Sequence, residues 1–154
     1  MPDNYLDYAD SVNQMKKALA ILDEGKVACN NDLLAANFID DGQKIWLIDY
    51  EYSGNNDACF ELGNIYSESN LSYDQLIELV DSYYGKHRPE KVARAWLYAL
   101  LARYGWTLWA SIQNSVSDID FNFWDWGMQK YEVAMKDFKS VEFKNALTAV
   151  TQKS

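Results

Sequence analysis

The chain has few of the residues on which disulfide frameworks, zinc sites and hydrolytic triads are built. Its 154 residues include two cysteines, Cys29 and Cys59, and one histidine, His87. The cysteines have neither the spacing of a zinc site nor the number of a disulfide framework, so we expect a protein of the reducing cytoplasm. His87 lies in a basic turn without a serine or cysteine partner, which disfavours a Ser-His-Asp triad.

Basic residues and long apolar runs are also scarce. Fourteen basic residues stand against 23 acidic ones, for a net charge of −9. This charge repels phosphate backbones and anionic lipids, so we expect neither a nucleic acid nor a membrane as partner. No apolar run approaches the roughly 20 residues of a membrane helix. The N-terminus lacks the basic start and apolar stretch of a signal peptide.

What the chain does contain is helical periodicity over most of its length. At roughly 150 residues per domain, we expect a single domain. Asp57 is a candidate N-cap, Ser72 and Gln75 have the spacing of a capping box, and Gly85 is a stop signal. The pattern predicts helices over residues 4–24, 58–68, 73–84, 90–113, 122–139 and 142–150.

A short region near the N-terminal end has strand character instead. Residues 26–29, 37–39 and 44–50 are strand-like, and Asp41-Gly42 between the last two is a turn signal. Residues 53–57 have the composition of a loop. The fold class predicted is therefore mainly α with a small β-hairpin, an α+β arrangement.

Three oxygen-bearing side chains cluster around this predicted hairpin. Asp32 and Asn37 lie five residues apart in a loop between strands, and Asp49 ends a strand twelve residues further on. Each alone is an ordinary turn or capping residue. Together they are hard ligands suited to Mg²⁺ that also holds phosphate oxygens. We expect their side-chain oxygens to converge at one corner of the hairpin.

Aromatic residues are unusually common for an acidic domain, at 15% of the chain. Trp106, Trp109 and Gln113 share one face of a predicted helix, and Phe123 and Trp126 lie on the next helix. Core packing is the usual explanation for such a stripe. Aromatic faces also bind organic cations, and the sequence pattern leaves both explanations open.

The two segments around the oxygen-bearing residues resemble a known family. They read Asn-Asp-Leu-Leu-Ala-Ala-Asn-Phe over 31–38 and Leu-Ile-Asp-Tyr-Glu-Tyr-Ser-Gly-Asn-Asn-Asp over 47–57. With Phe-Glu-Leu-Gly-Asn at 60–64 and Tyr-Gly-Trp-Thr-Leu-Trp at 104–109, they resemble the choline/ethanolamine kinase branch of the aminoglycoside-phosphotransferase-like kinases. The resemblance runs from about Tyr5 to Phe138.

The resemblance implies a protein-kinase-like fold and an activity. The activity is transfer of the γ-phosphoryl group of ATP, with Mg²⁺, to the hydroxyl of choline or a related amino alcohol. It implies that Asp32 is the catalytic base and that Asn37 and Asp49 bind the metal. Further residues are expected to bind the substrate: Trp106, Trp109, Trp126, Tyr73, Glu68 and Glu51.

The chain departs from the family pattern at two supporting positions. Asn30 stands where the family usually has a histidine two residues before the catalytic aspartate. Glu61 stands where it usually has an aspartate that steadies the backbone of the catalytic loop. We expect both residues to support that loop structurally, and the residues placed on the phosphoryl group and the metal to be retained.

A larger departure concerns the nucleotide clamp. The Gly-rich loop and the strand lysine of the family's N-terminal lobe do not occur in the 154 residues. We therefore expect residues 1–154 to form a C-terminal lobe, with the N-terminal lobe absent. Its expected partners are a small amino alcohol and either that lobe or a second copy of the chain. The alternatives are an aminoglycoside-type or other small-molecule kinase of this fold, and a non-catalytic cation-binding module.

Overall fold

The computed structural model describes residues 1–152, and six α-helices account for most of them. A 3₁₀-helix over Tyr5–Tyr8 precedes the first helix, and another over Ala35–Asn37 lies between two strands. The helices are α1 (Ala9–Leu19), α2 (Ala58–Glu68), α3 (Tyr73–Tyr84), α4 (Pro89–Val116), α5 (Phe123–Phe138) and α6 (Val141–Ala149).

Capping residues set the ends of α2 and α3 as the sequence predicted. The Asp57 side chain accepts a hydrogen bond from the Cys59 backbone N–H at the start of α2. Ser72 and Gln75 form a reciprocal capping box at the start of α3. Gly85 ends α3 with φ of 72°, a left-handed conformation that glycine adopts without steric cost. Both predicted helices are confirmed.

The first predicted helix is wrong in extent, because residues 4–24 do not form one helix. The 3₁₀-helix precedes α1, and α1 ends at Leu19. The carbonyl oxygen of Leu19 accepts a hydrogen bond of 2.7 Å from the Arg94 guanidinium on α4. The backbone carbonyl group of Leu19 at the end of α1 therefore has its hydrogen-bond partner on a distant helix. The spacing of apolar residues in the sequence does not indicate such a contact.

Within residues 1–152, four short strands form two separate antiparallel pairs. Strands β2 (Phe38–Asp40) and β3 (Ile45–Leu47) make the predicted hairpin around Asp41-Gly42. Strand β1 (Val27–Cys29) pairs with β4 (Gly54–Asn56), a segment that its composition had indicated as loop. That prediction is wrong, since the Gly-Asn-Asn sequence has little strand propensity and takes strand geometry from its pairing with β1.

Helix α4 is the central element, against which α2 and α5 pack closely. A Cβ on Gly63 of α2 would lie 2.3 Å from the Ala95 carbonyl oxygen, and one on Gly127 of α5 would lie 2.5 Å from the Ala110 Cβ. Both helices therefore approach α4 at a distance that only glycine permits. In the described part of the chain, no helix combines the length and apolarity needed to span a bilayer.

We predict that Gly63→Ala destabilises the protein because the added methyl group meets backbone rather than a movable side chain. We expect a loss of about 3 kcal/mol in the free energy of unfolding, the upper part of the usual range for overpacking. The matched control is Gly105→Ala on α4, where a Cβ meets nothing within 4 Å. That variant should gain up to about 1 kcal/mol from helix propensity. Urea unfolding of both variants tests this, and equal stabilities would contradict it.

Candidate active site

A buried amide links the two segments that carry the candidate aspartates. The Asn30 side chain donates a hydrogen bond of 2.6 Å to the Asp49 backbone oxygen through Nδ2. Its Oδ1 accepts one of 2.9 Å from the Asp32 backbone N–H. Asn30 is buried, so both bonds are shielded from water. One neutral side chain thus sets the spacing between the loop after β1 and the segment after β3.

Glu61 on α2 holds the same loop from the other side. Its Oε1 accepts a hydrogen bond of 2.6 Å from the Asn30 backbone N–H, and its Oε2 accepts one of 3.0 Å from that of Asn31. Hydrogen bonds that a charged carboxylate accepts are stronger than those that a neutral group accepts. These bonds support Asn31 at φ of 68°, a left-handed conformation that asparagine tolerates better than most residues.

Asn37 and Asp49 lie beside Asp32 at one corner of the β2–β3 hairpin. The Asn37 Nδ2 donates a hydrogen bond of 3.0 Å to the Asp32 backbone oxygen, which leaves its amide oxygen available as a ligand. The backbone N–H of Ile48, the residue before Asp49, donates a hydrogen bond of 3.0 Å to the Asn37 backbone oxygen. The structure therefore brings the three residues together, and their roles as base and metal ligands stay a prediction.

Negative charge accumulates around Asp32 and changes its acidity. Its pKa is raised above the ordinary carboxyl value, first by burial and then by repulsion from Asp49, Glu68 and Glu51, while Lys130 lowers it. A cation at this corner would relieve the repulsion between the carboxylates.

The donor set at this corner fits Mg²⁺ better than a transition metal. Residues 1–152 contain no group of three or more His, Cys, Asp or Glu side chains placed to hold a metal ion. The expected ligands are the Asp49 carboxylate and the Asn37 amide oxygen, with the Asp32 carboxylate beside them, and all of these are hard oxygen donors. Mg²⁺ typically uses one or two carboxylates and keeps other positions for water and phosphate oxygens.

A cavity of about 230 Å³ opens beside Asp32. Most of its wall is aromatic, with two acidic side chains. The lining residues are Asp32, Leu34, Tyr52, Glu68, Trp106, Trp109, Phe121, Phe123 and Trp126.

Helices α4 and α5 build the aromatic wall from rings that meet edge to face. The Trp106 and Trp109 ring centroids lie 5.6 Å apart, and those of Trp109 and Trp126 lie 5.9 Å apart. This geometry is favourable for aromatic pairs. The three indoles are only partly buried and line a cavity that also contains Asp32. They are therefore not simply core residues, which was one of the two explanations left open.

Glu68, one of the two acidic side chains of this wall, forms an ion pair with Lys130, which does not itself line the cavity. The Lys130 Nζ on α5 lies 2.8 Å from each of the two carboxylate oxygens of Glu68, at the end of α2. Both side chains are largely buried, at 14% and 6% exposure. The Lys130 ammonium also lies 4.4 Å from the centre of the Trp126 ring, within the range of a cation–π contact.

Two of the expected substrate-binding residues do not line the cavity. Glu51 is exposed and influences Asp32 only through its charge. Tyr73 lines a different cavity, together with Pro89 and Trp96 near the start of α4. Ten residues separate Trp96 from Trp106, about 15 Å along the helix axis. The expectation for Tyr73 is therefore wrong in position, because α3 packs near the other end of α4.

Several residues of the site were missed in the sequence. Leu34, Tyr52 and Phe121 line the cavity, and Lys130 pairs with Glu68. Phe121 was detectable, since aromatic residues recur at short intervals from 121 to 126. Lys130 carried no local signal, because its partner is 62 residues away.

Comparison with known proteins shows what the chain is similar to. A family model described as choline/ethanolamine kinase matches residues 3–91. Human ethanolamine kinase 2 is 33% identical over 130 residues, which cover 71% of this chain and 34% of that protein. The chain thus spans about a third of the length of this curated relative.

Solved structures of similar proteins share the fold. A choline/ethanolamine kinase family protein from Mesorhizobium loti has a TM-score of 0.90 and 30% identity, and the match covers 98% of this chain and 52% of that one. The choline kinase LicA from Streptococcus pneumoniae has a TM-score of 0.74 and 27% identity, over 89% of this chain and 48% of that one. The expected fold, a mainly helical part of a kinase-like protein, is confirmed.

We predict that Asp32→Asn raises the stability of the protein at neutral pH. Because folding raises the pKa of Asp32, its ionised form is disfavoured in the folded state, and its contribution to stability falls as pH rises through the raised pKa. The melting temperature of Asp32→Asn should exceed that of the wild type at pH 7, and the difference should shrink as pH falls toward about 4, the ordinary aspartate pKa.

Thermal melting across this pH range measures the effect. The control is Asp120→Asn, which removes the same charge in the exposed loop before α5. A lower melting temperature for Asp32→Asn, by the same amount at every pH, would show that Asp32 is a structural residue.

Proposed function

The chain belongs to the choline/ethanolamine kinase family, and on that basis we propose that it forms the catalytic-loop and substrate-binding lobe of an ATP-dependent kinase for choline or a related amino alcohol. The observation that carries the proposal is the position of Asp32. It lines the aromatic cavity and also lies at the corner occupied by Asn37 and Asp49. A hydroxyl substrate and a phosphoryl donor can therefore meet at this one carboxylate.

In the proposed reaction, Asp32 orients the substrate hydroxyl and accepts its proton. The hydroxyl oxygen forms a bond to the γ-phosphorus of ATP as the bond from that phosphorus to the bridging oxygen of ADP breaks. The product is the phosphate ester of the amino alcohol, and the proton resides on Asp32. The raised pKa of Asp32 makes it a better proton acceptor than an ordinary aspartate.

Asn37 and Asp49 are the residues that we propose hold Mg²⁺. Bound there, the ion would neutralise charge on the phosphate oxygens during transfer. The hydrogen bonds from Asn37 to the Asp32 backbone and from Asn30 to the Asp49 backbone keep both ligand-bearing segments at a set distance from the base. Such positioning is the main contribution that a protein makes to phosphoryl transfer.

The cavity suits the cationic end of an amino alcohol. Aromatic faces and a nearby carboxylate are the groups that recognise a substituted ammonium. The cavity has a volume of about 230 Å³, below the range of about 300–1,000 Å³ for pockets that hold drug-sized ligands, so its size matches a small amino alcohol. This size favours the amino-alcohol substrate over the aminoglycoside alternative.

We further propose that a nucleotide-clamping lobe packs on the β2–β3 hairpin. Ile45 is 66% exposed, Trp46 48% and Ile48 47%, all on the hairpin or directly after it. Exposed apolar groups grouped in this way are typical of an interaction surface. The hairpin also adjoins the corner where ATP would lie.

We predict that this chain alone gives no detectable phosphorylation of choline with ATP and Mg²⁺, because half of the nucleotide clamp is supplied by the other lobe. Joined to the N-terminal lobe of the Mesorhizobium loti relative, it should become active. In that two-lobe protein, Asp32→Asn should lower kcat by at least about 100-fold. A coupled assay for ADP measures both, with Asp120→Asn as control. A rate of roughly 1–100 s⁻¹ from the chain alone would overturn the need for a second lobe.

We predict that Trp109→Ala weakens choline binding more than it weakens the fold. Loss of one aromatic contact should reduce affinity about tenfold, or about 1.4 kcal/mol. Trp96→Ala is the matched control, since Trp96 is 7% exposed within the core and lies outside the cavity. It should cost about 3–5 kcal/mol of stability and leave choline affinity unchanged. Calorimetric titration and urea unfolding test both, and equal stability losses would show that Trp109 is core.

A further inference from the structure

The ion pair between Lys130 and Glu68 restricts what the cavity can bind. Nine residues line the cavity, and Glu68 and Asp32 are the carboxylates among them. Lys130 lies within hydrogen-bond distance of both oxygens of Glu68. The Lys130 ammonium group is therefore already bound to Glu68, the second acidic side chain of the cavity.

A primary ammonium and a quaternary ammonium make different demands on such a wall. The –NH₃⁺ group of ethanolamine has three N–H donors, and each loses a water molecule on entering the cavity. A charged group taken out of water needs hydrogen-bond acceptors in return. The trimethylammonium group of choline has no donor and is recognised by aromatic faces.

The acceptors available to a primary ammonium are few. In the proposed reaction Asp32 faces the substrate hydroxyl, so Glu68 is the remaining carboxylate for the cationic end. A second ammonium at Glu68 would lie close to Lys130 and be repelled by it. A trimethylammonium group can instead contact Trp106, Trp109 and Trp126, with its charge spread over three methyl groups.

We propose that the Lys130–Glu68 ion pair determines substrate specificity by engaging the carboxylate that a primary ammonium needs. The cavity then selects N-methylated amino alcohols, of which choline is the fully methylated member, over ethanolamine. This inference rests on the function proposed above. It makes Lys130 a specificity-determining residue that acts through Glu68 and needs no contact with substrate.

The first experiment titrates this chain with a series of amino alcohols that differ only in methylation. The ligands are ethanolamine, its N-methyl and N,N-dimethyl derivatives, and choline, followed by the fluorescence of the cavity tryptophans. We expect affinity to rise with each methyl group and choline to bind at least about tenfold more tightly than ethanolamine. A flat or reversed series overturns the inference whether or not any variant folds.

The second experiment changes the ion pair. Lys130→Met releases Glu68, so the ratio of choline to ethanolamine affinity should fall at least about tenfold. Lys130→Arg keeps the pair and should keep the ratio. The matched control is Lys136→Met, on the exposed side of the same helix, which should leave both affinities within about twofold.

A double variant separates the freed carboxylate from a general disturbance of the wall. In Glu68→Gln with Lys130→Met, neither charge is present, so the preference for choline should return to the wild-type value. If the double variant binds like Lys130→Met alone, the released carboxylate is not the cause and the inference is overturned. Thermal melting of each variant shows which of them are folded for comparison.

Failure of this inference is distinguishable from failure of the proposed function. Binding of all four ligands with equal affinity overturns the role of Lys130 and leaves an amino-alcohol kinase standing. The absence of any saturable fluorescence change with all four ligands overturns both the inference and the proposed substrate class.

Discussion

The contact on which the site depends is the carboxylate of Glu61 against two backbone N–H groups of the loop that carries Asp32. A hydrogen bond to a charged group contributes about 1.5–3 kcal/mol. Because Gly63 lets α2 approach α4 closely, the position of Glu61 follows from the packing of these two helices. The same helix ends at Glu68, in the cavity wall. One helix–helix contact thus positions the loop and one side of the aromatic cavity.

The supporting hydrogen bonds around Asp32 come largely from amides, which do not titrate. Asn30 links the Asp32 and Asp49 segments, and Asn37 bonds to the Asp32 backbone. Asn30 stands where the family usually has a histidine, which would lose its acceptor nitrogen on protonation. An amide keeps one donor and one acceptor at every pH. The hydrogen bonds made by Asn30 and Asn37 are therefore independent of protonation, while the charge at Asp32 is not.

The cavity region stabilises cations in two ways, through aromatic rings and through the carboxylate of Glu68, which is paired with Lys130. Indole rings on α4 and α5 present aromatic faces to the cavity. These rings lie close together because Gly127 allows α5 to approach α4 closely. Lys130 balances the charge of Glu68 with a protein ammonium. This pairing avoids burying an isolated carboxylate, which would be costly. The cavity is left mainly aromatic, with Asp32 as the acidic side chain that also lies beside Asn37.

The sequence by itself determined the features that depend on neighbours within a few residues. These are the caps of α2 and α3, the β2–β3 hairpin at Asp41-Gly42, and the spacing of Asp32, Asn37 and Asp49. Only the tertiary structure decided that β4 is a strand, that Tyr73 faces another cavity, and that Lys130 pairs with Glu68. Whether the indoles line a cavity or fill the core was also decided there. Caps and turns are short-range hydrogen-bond patterns, whereas these features follow from how helices pack against α4.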